Sequence, residues 1–227
     1  MIGVIPAGGA ATRLQPIPHS KEMTRVKDKP MIEYMIDKMR VVCDRIVVVT
    51  WPEKKDVINY VLSQDDNIDL VIRKTSELSE SLISGFSLAR SDEDIVWGLT
   101  DTMWRPHDAF EQLSIVNSNV LGLFPVDNPE RFTVIESDEN GWVKAVHGKV
   151  ENPPSNYIWG IGKINQRDLV ETKRLIDVSG ASNTFEEVIS NIKFKTIKFK
   201  NGAYLDIGVK PIYKDLEKKL SELKIIQ

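Results

Sequence analysis

A three-layer, Rossmann-like α/β fold with a mostly parallel sheet is predicted for this 227-residue chain by three features of its sequence. Short β-rich apolar runs recur, helix-patterned spacers separate them, and the alternation gives way to an antiparallel excursion after about residue 127. The runs are IGVIP at 2–6, RIVVVT at 45–50, IDLVIR at 68–73, DIVWGL at 94–99 and NVLGLFPV at 119–126. The spacers carry apolar residues at helical spacing, at Met31, Tyr34, Met35 and Met39, then at Leu78, Leu82, Phe86 and Leu88. Crossovers of that length favour right-handed βαβ units.

Beyond the parallel half, FTVIESD and WVKAVHG flank Asn140-Gly141, a dipeptide that supplies the positive φ a tight hairpin needs. The run NYIWGIGKI at 156–164 reads as a further strand, and 166–176 and 184–190 as helices. FKTIKFK with AYLDIG is expected to form a late strand pair, and 211–223 an amphipathic helix. No repeat, low-complexity tract or Gly/Ser linker interrupts the chain, so residues 1–227 read as one catalytic domain.

Composition excludes several function classes. Thirty basic and 33 acidic residues give a formal charge of -3, with no basic field to hold a nucleic-acid backbone. The single cysteine, Cys43, forbids an intramolecular disulfide and a Cys-rich zinc site, and fits a reducing compartment. No apolar run approaches the roughly 20 residues that span a bilayer. A cytoplasmic location, with no membrane partner, is the expectation.

The first strand runs into Pro6-Ala7-Gly8-Gly9-Ala10-Ala11-Thr12-Arg13-Leu14. A loop of small residues at the carboxyl end of a parallel strand lets backbone N–H groups close around phosphate oxygens, and Gly8 and Gly9 remove the side chains that would block the approach. It is neither G-x-G-x-x-G nor a loop ending in G-K-[ST], which excludes the dinucleotide fingerprint and the P-loop. Arg13 and Lys21 bring two cations able to neutralise a triphosphate and its pyrophosphate leaving group. Asp101 follows the apolar run at 94–99, where open α/β sheets bind ligands, and one carboxylate there can anchor Mg²⁺. His19, His107 and His147 show no mutual spacing of a metal cluster, and Trp51 and Trp97 read as core or rim. Asp65, Asp66, Asp92, Glu93 and Asp94 read as solvated loop acids.

The run PAGGAATRLQPIPHSKEMTRVKDKPMIEYMI at 6–36 closely resembles the signature of the sugar nucleotidyltransferases, in its Arg13, Leu14, Pro16, Lys21, Lys29, Pro30 and Met31. Ala11 stands where that family usually has Gly. The resemblance implies transfer of a nucleoside monophosphate, with a pyrimidine preferred, from a nucleoside triphosphate to a sugar 1-phosphate or similar phosphate monoester, releasing pyrophosphate. It implies that Ala7, Gly8, Gly9, Arg13, Lys21 and Ser81 bind the nucleotide, and that Arg13, Lys21 and Asp101 act in catalysis. Asp206 in AYLDIG resembles the family's Trp-x-Asp-x-Gly and is implied as the second Mg²⁺ ligand beside Asp101. The segment 126–162 resembles the acceptor half, with Lys149 as the hook for the acceptor's phosphate and Thr133 and Trp159 as further acceptor contacts.

Two departures bear on the acceptor. Glucose-using members carry Glu-Lys-Pro where this chain has Gly148-Lys149-Val150, and Gly where it has Thr133. Plain glucose 1-phosphate is therefore expected to be a poor substrate. The alternative reading is a catalytically weak nucleotide-sugar-binding or regulatory relative. A glycosyltransferase of the Asp-x-Asp type is disfavoured by Asp101-Thr102-Met103. Homo-oligomerisation is left open, since family members often associate through their late helices.

Overall fold

The computed structural model describes residues 1–12, 14–64, 67–178, 185–208 and 215–226. Its strands are β1 (Ile2–Ala7), β2 (Arg25–Val26), β3 (Lys29–Pro30), β4 (Arg45–Thr50), β5 (Ile68–Ile72), β6 (Ile95–Gly98), β7 (Thr102–Arg105), β8 (Val120–Pro125), β9 (Thr133–Ser137), β10 (Val143–Gly148), β11 (Tyr157–Ile164), β12 (Lys195–Lys198) and β13 (Ala203–Asp206). Its helices are α1 (Met31–Arg40), α2 (Lys55–Leu62), α3 (Leu78–Phe86), α4 (Ala109–Ser114), α5 (Gln166–Val178), α6 (Phe185–Asn191) and α7 (Leu216–Glu222).

The main sheet has nine strands. From one edge, β5, β4, β1 and β6 are parallel neighbours, as the recurring apolar runs predict. Strand β11 then pairs antiparallel with β6 and, on its other edge, with β8. Strand β8 thus points the same way as β6 without touching it, and β12 extends the sheet parallel to β8. The β9–β10 hairpin joins through Ile158↔Val134. Its turn is built as the sequence requires, with Gly141 at φ +79° and Asp138 accepting from the Asn140 and Trp142 amides.

Alternation along each strand splits the core in two. Ile2, Val4, Val47, Val49 and Trp97 face α3, α5 and α6, whereas Ile5, Ala7, Ile46, Val48 and Val96 face α1, α2 and α4. These are the outer layers of the predicted three. Of the announced stripes, α1 buries Met31, Met35 and Met39 together with Ile32 and Ile36, and α3 buries Leu82 and Phe86, whereas Tyr34 and Leu78 are only partly buried and Leu88, 39% exposed, lies beyond the end of α3. At roughly 1.5–3 kcal/mol for each large apolar side chain fully buried, this double core dominates the stability of the sheet.

Strand β11 changes face midway. A register shift between Trp159 and Ile161 lets Trp159 join one core and Ile161 the other. Gly160 lies at that irregularity, and a Cβ there would stand 2.5 Å from the Tyr204 ring and 3.1 Å from Phe124. Gly162 likewise seats the fully buried Trp97, whose ring would lie 2.1 Å from an added Cβ.

Three expectations need correction. The late strands do not pair with each other: β12 adds to β8, and β13 pairs antiparallel with β7. The physical reason is that two other edges are open to them, the outer edge of β8 and that of β7, a strand with no place in the sequence reading. Glu93 is not a solvated acid but 4% exposed, accepting from Arg45 and from the Arg90 amide and guanidinium. Asp94 bonds Lys163, itself 3% exposed. The late helix is α7, and residues 211–214 of the expected span lie outside the described residues, as do Asp65 and Asp66.

Candidate active site

The site forms where β1, β4 and β6 end. Ala7 closes β1, its carbonyl accepting from the Thr50 hydroxyl at 3.1 Å, and the chain turns out through Gly8 and Gly9. Both glycines are closely covered. A Cβ on Gly8 would lie 2.8 Å from Trp51 Nε1, and one on Gly9 would lie 3.1 Å from Lys21 Nζ. Ala11, where the resemblance puts a glycine, has φ +53°, a left-handed conformation that glycine adopts without steric cost. Arg13 lies outside the described residues.

Lys21 reaches across to Asp101, Nζ to Oδ2 at 2.6 Å, with both side chains less than a fifth exposed. Burial alone would lower the lysine pKa, but the carboxylates of Asp101, Glu22 and Asp206 together outweigh it and raise the value. The ammonium therefore stays charged at neutral pH. Asp101 and Asp206 come together because β13 pairs with β7, with Asp206 opposite Thr102 and the Ile207 amide bonded to the Asp101 carbonyl at 2.9 Å. Asp206 Oδ1 also accepts from the Gly208 amide at 2.7 Å, which fixes its carboxylate. Two carboxylates, with no His or Cys grouped with them among the described residues, suit a hard, oxygen-seeking divalent cation such as Mg²⁺. Among the described residues no set of three or more His, Cys, Asp or Glu could hold a metal, so phosphate oxygens and water would complete the coordination.

A cleft of about 310 Å³ opens beside this pair, lined by Gly8, Gly9, Lys21, Trp51, Thr75 and Ser81 among others, with Asp101 at its edge. Ser81 sits in the first turn of α3, is 3% exposed, and its hydroxyl has no hydrogen-bond partner among the described residues. Thr75 is also buried and accepts from Trp51 Nε1 at 3.3 Å. Sequence reasoning placed Ser81 here but set Trp51 aside. The signal that could have found it is positional, since Trp51 directly follows the carboxyl end of a parallel strand. On the other side of the glycine loop, a second cleft of about 480 Å³ is lined by Gly9, Ala10, Ala11, Lys21, Trp51 and Lys54 among others.

Of the acceptor candidates, Lys149 and Thr133 come together at the paired ends of β9 and β10, and Trp159 does not join them. Lys149 is exposed, has φ +43°, and donates its amide to the Phe132 carbonyl at 3.2 Å, while Thr133 pairs with Gly148. Phe132 meets Tyr204 edge to face, ring centroids 6.1 Å apart, and Tyr204 lies two residues from Asp206 on β13. Burial pushes the Tyr204 phenol up, so it stays protonated. Trp159 is 9% exposed and packs in the core with Leu121, Leu123 and Ile135. A cleft of about 640 Å³ runs past Phe132, Tyr204 and Asp206 toward Asp127, Asn128 and Arg131. No described helix is long and apolar enough to cross a membrane.

Comparison with known proteins agrees with this fold. A glucose-1-phosphate thymidylyltransferase of Xanthomonas campestris pv. campestris (strain B100) is 31% identical over 172 residues, covering 68% of this chain and 56% of the relative. The bifunctional protein GlmU of Methanococcus aeolicus is 29% identical over 225 residues, 92% of this chain and 51% of the relative. The chain thus spans about half the length of the curated relatives it matches. Among solved structures, a Bacillus anthracis protein reported as a glucose-1-phosphate thymidylyltransferase in complex with a sucrose shares the fold with a TM-score of 0.83 at 20% identity, over 100% of this chain and 97% of that one. A UDP-glucose pyrophosphorylase complexed with UDP-glucose aligns with a TM-score of 0.79 at 20% identity, over 97% and 98%. The model of the MobA-like NTP transferase domain matches residues 3–130, more than half of the 227. With its glycine loop, Lys21 and Asp101 all inside that match, the chain belongs to the MobA-like NTP transferase family.

Proposed function

We propose that this chain is a nucleotidyltransferase that moves a nucleoside monophosphate, with a pyrimidine preferred, from a nucleoside triphosphate to a sugar 1-phosphate or similar phosphate monoester. The observation that carries the reading is the Lys21–Asp101 pair at 2.6 Å, with Asp206 on the neighbouring strand, at the mouth of the cleft between the glycine loop and Ser81. The names of the relatives support the same chemistry.

In this reading the triphosphate lies along Ala7, Gly8 and Gly9 with its base toward Ser81, and Lys149 and Thr133 hold the acceptor on the far side of Tyr204. An oxygen of the acceptor's phosphate attacks the α-phosphorus, the bond to the bridging oxygen of the β-phosphate breaks, and pyrophosphate leaves with the electron pair. A phosphate monoester has its second pKa near 6 and is mostly dianionic at neutral pH, so no general base is needed. The chain's task is then positioning and charge neutralisation. Lys21 supplies a fixed positive charge next to the α-phosphate, and Arg13 a second toward the leaving group. Asp101 and Asp206 would hold Mg²⁺, which when bound neutralises phosphate charge.

Pyrophosphate release, measured with each common nucleoside triphosphate, Mg²⁺ and a panel of sugar phosphates, tests the reading. Activity is expected with at least one pair, to be lost on chelation, and to fall at least about a hundredfold in Asp101→Asn and in Asp206→Asn, each of which removes half of the protein's anionic grip on the metal. Nucleotide binding with no pyrophosphate from any combination would instead favour a binding relative. Glucose 1-phosphate is expected to rank below other acceptors in specificity constant.

A further inference from the structure

Lys21 sits in the three-residue 3-10 turn Lys21–Met23, where successive side chains point about 120° apart. Lys21 goes to Asp101, Met23 packs against the core, and Glu22 points into the body of the protein. The Glu22 side chain is 0% exposed and takes both of its bonds from one residue, Lys54 Nζ, at 2.8 Å to Oε1 and 2.8 Å to Oε2. One position before Lys21, Ser20 donates its amide and its hydroxyl to the two oxygens of Asp56, at 2.8 and 2.7 Å. Both partners come from the start of α2, Lys54 at its N-cap and Asp56 in its first turn. The residues on either side of Lys21 are therefore each clamped by charge-assisted bonds to one rigid element.

The Glu22–Lys54 pair is an expensive way to pack this spot. Burial pushes the Glu22 carboxyl up, more than Lys54 and Lys21 bring it down, and burial pushes the Lys54 ammonium down, more than Glu22 restores it. Both shifts run toward neutrality, so desolvation outweighs the mutual attraction. Well-packed hydrophobic side chains of similar volume often replace such a pair with no loss of stability. What the pair does hold is the turn that carries Lys21.

We propose that Glu22, Lys54, Ser20 and Asp56 are positioning residues that lock the turn carrying Lys21, so that its ammonium is delivered to Asp101 and the phosphate site in a single orientation. The proposal rests on the reading of Lys21 as a group that meets the triphosphate. A lysine on a free loop would spread its charge over many positions, whereas one gripped on both sides is organised before substrate arrives.

The test uses the double variant Glu22→Met/Lys54→Met, in which neither a buried charge nor a buried amide is left unpaired, with Ser20→Ala and Asp56→Asn as a second arm and Lys21→Met as the benchmark. Thermal melts and steady-state pyrophosphate release are measured on each. The double variant is expected to melt at or above the wild-type temperature, with kcat at least tenfold lower and the acceptor's KM within twofold. Ser20→Ala and Asp56→Asn should each lower kcat severalfold with the same KM pattern. A folded double variant with kcat within twofold of wild type would overturn the proposal. So would a double variant that no longer folds, because the pair would then be a stability element. An active Lys21→Met enzyme would instead overturn the role given to Lys21 itself, a failure distinct from that of the clamp.

Discussion

Replacing Ala11 by glycine should make the protein more stable, against the usual direction of that change. Ala11 holds φ at +53°, and its carbonyl accepts from the Leu14 amide at 2.9 Å, so the left-handed shape is built into the loop. An L-residue with a Cβ spends about 1–2 kcal/mol to stay there. Glycine removes that cost but gives the unfolded chain more freedom, worth about 0.4–1 kcal/mol in the other direction. The net expectation is a gain of about 0.5–1 kcal/mol. At about 2.1 cal/mol/K per residue, unfolding a chain of 227 residues has an entropy of roughly 480 cal/mol/K, so the melting temperature should rise by about 1–2 °C. Differential scanning calorimetry on matched wild-type and Ala11→Gly samples resolves a shift of that size. A melting temperature unchanged or lowered would show that the methyl group is not strained, and the argument from φ would fail.

Three further expectations follow from the structure. Gly160→Ala drives a methyl group to 2.5 Å from Tyr204 and 3.1 Å from Phe124, so it should cost about 1–3 kcal/mol in a denaturant melt and lower turnover by displacing the strand that carries Asp206; wild-type values for both would refute it. Lys38 is pushed down to about 8 by burial, against the opposing pull of the Glu111 carboxylate, so between pH 8 and 10.5 the unfolded chain holds a proton that the folded one lacks, and stability rises with pH across that window. Lys38→Met should therefore raise the melting temperature at pH 7 by an amount that shrinks toward pH 10, and a gain equal at both pH values would contradict this. Arg13→Ala should weaken use of the triphosphate while Lys149→Ala weakens use of the acceptor, read as separate KM changes; equal effects on both substrates would mean that at least one cation serves another role.

What could be read from the sequence, and what could not, divides along physical lines. The strands β1, β4 and β6 were legible because each is buried on both faces and leaves a largely apolar run, the half-buried edge strand β5 because Ile68, Leu70, Val71 and Ile72 still cluster around Asp69, and the hairpin because Asn140-Gly141 names its own turn. Strand β7 was hidden because it begins right after Asp101 with no breaker between them, and Thr102–Arg105 is too short for a pattern. The partners of β12 and β13 were misread because pairing is decided by which edges remain open in the assembled sheet, which no local pattern encodes. The carboxylates Asp101 and Asp206 could be named from their motifs, but the Glu22–Lys54 clamp could not, since two charged residues 32 positions apart look like ordinary surface until both are found buried.

The close seating of Trp51 on Gly8 makes these two positions a single unit of variation. Any side chain at position 8 would begin 2.8 Å from the indole nitrogen and 3.3 Å from the Thr75 hydroxyl. In a library that varies the glycine loop, alanine or serine at position 8 should survive only alongside a smaller residue at 51, and in descendants of this sequence the two should drift together. The loop's freedom to evolve is thus set from outside it, by an aromatic residue 43 positions away along the chain and one atom's width away in space.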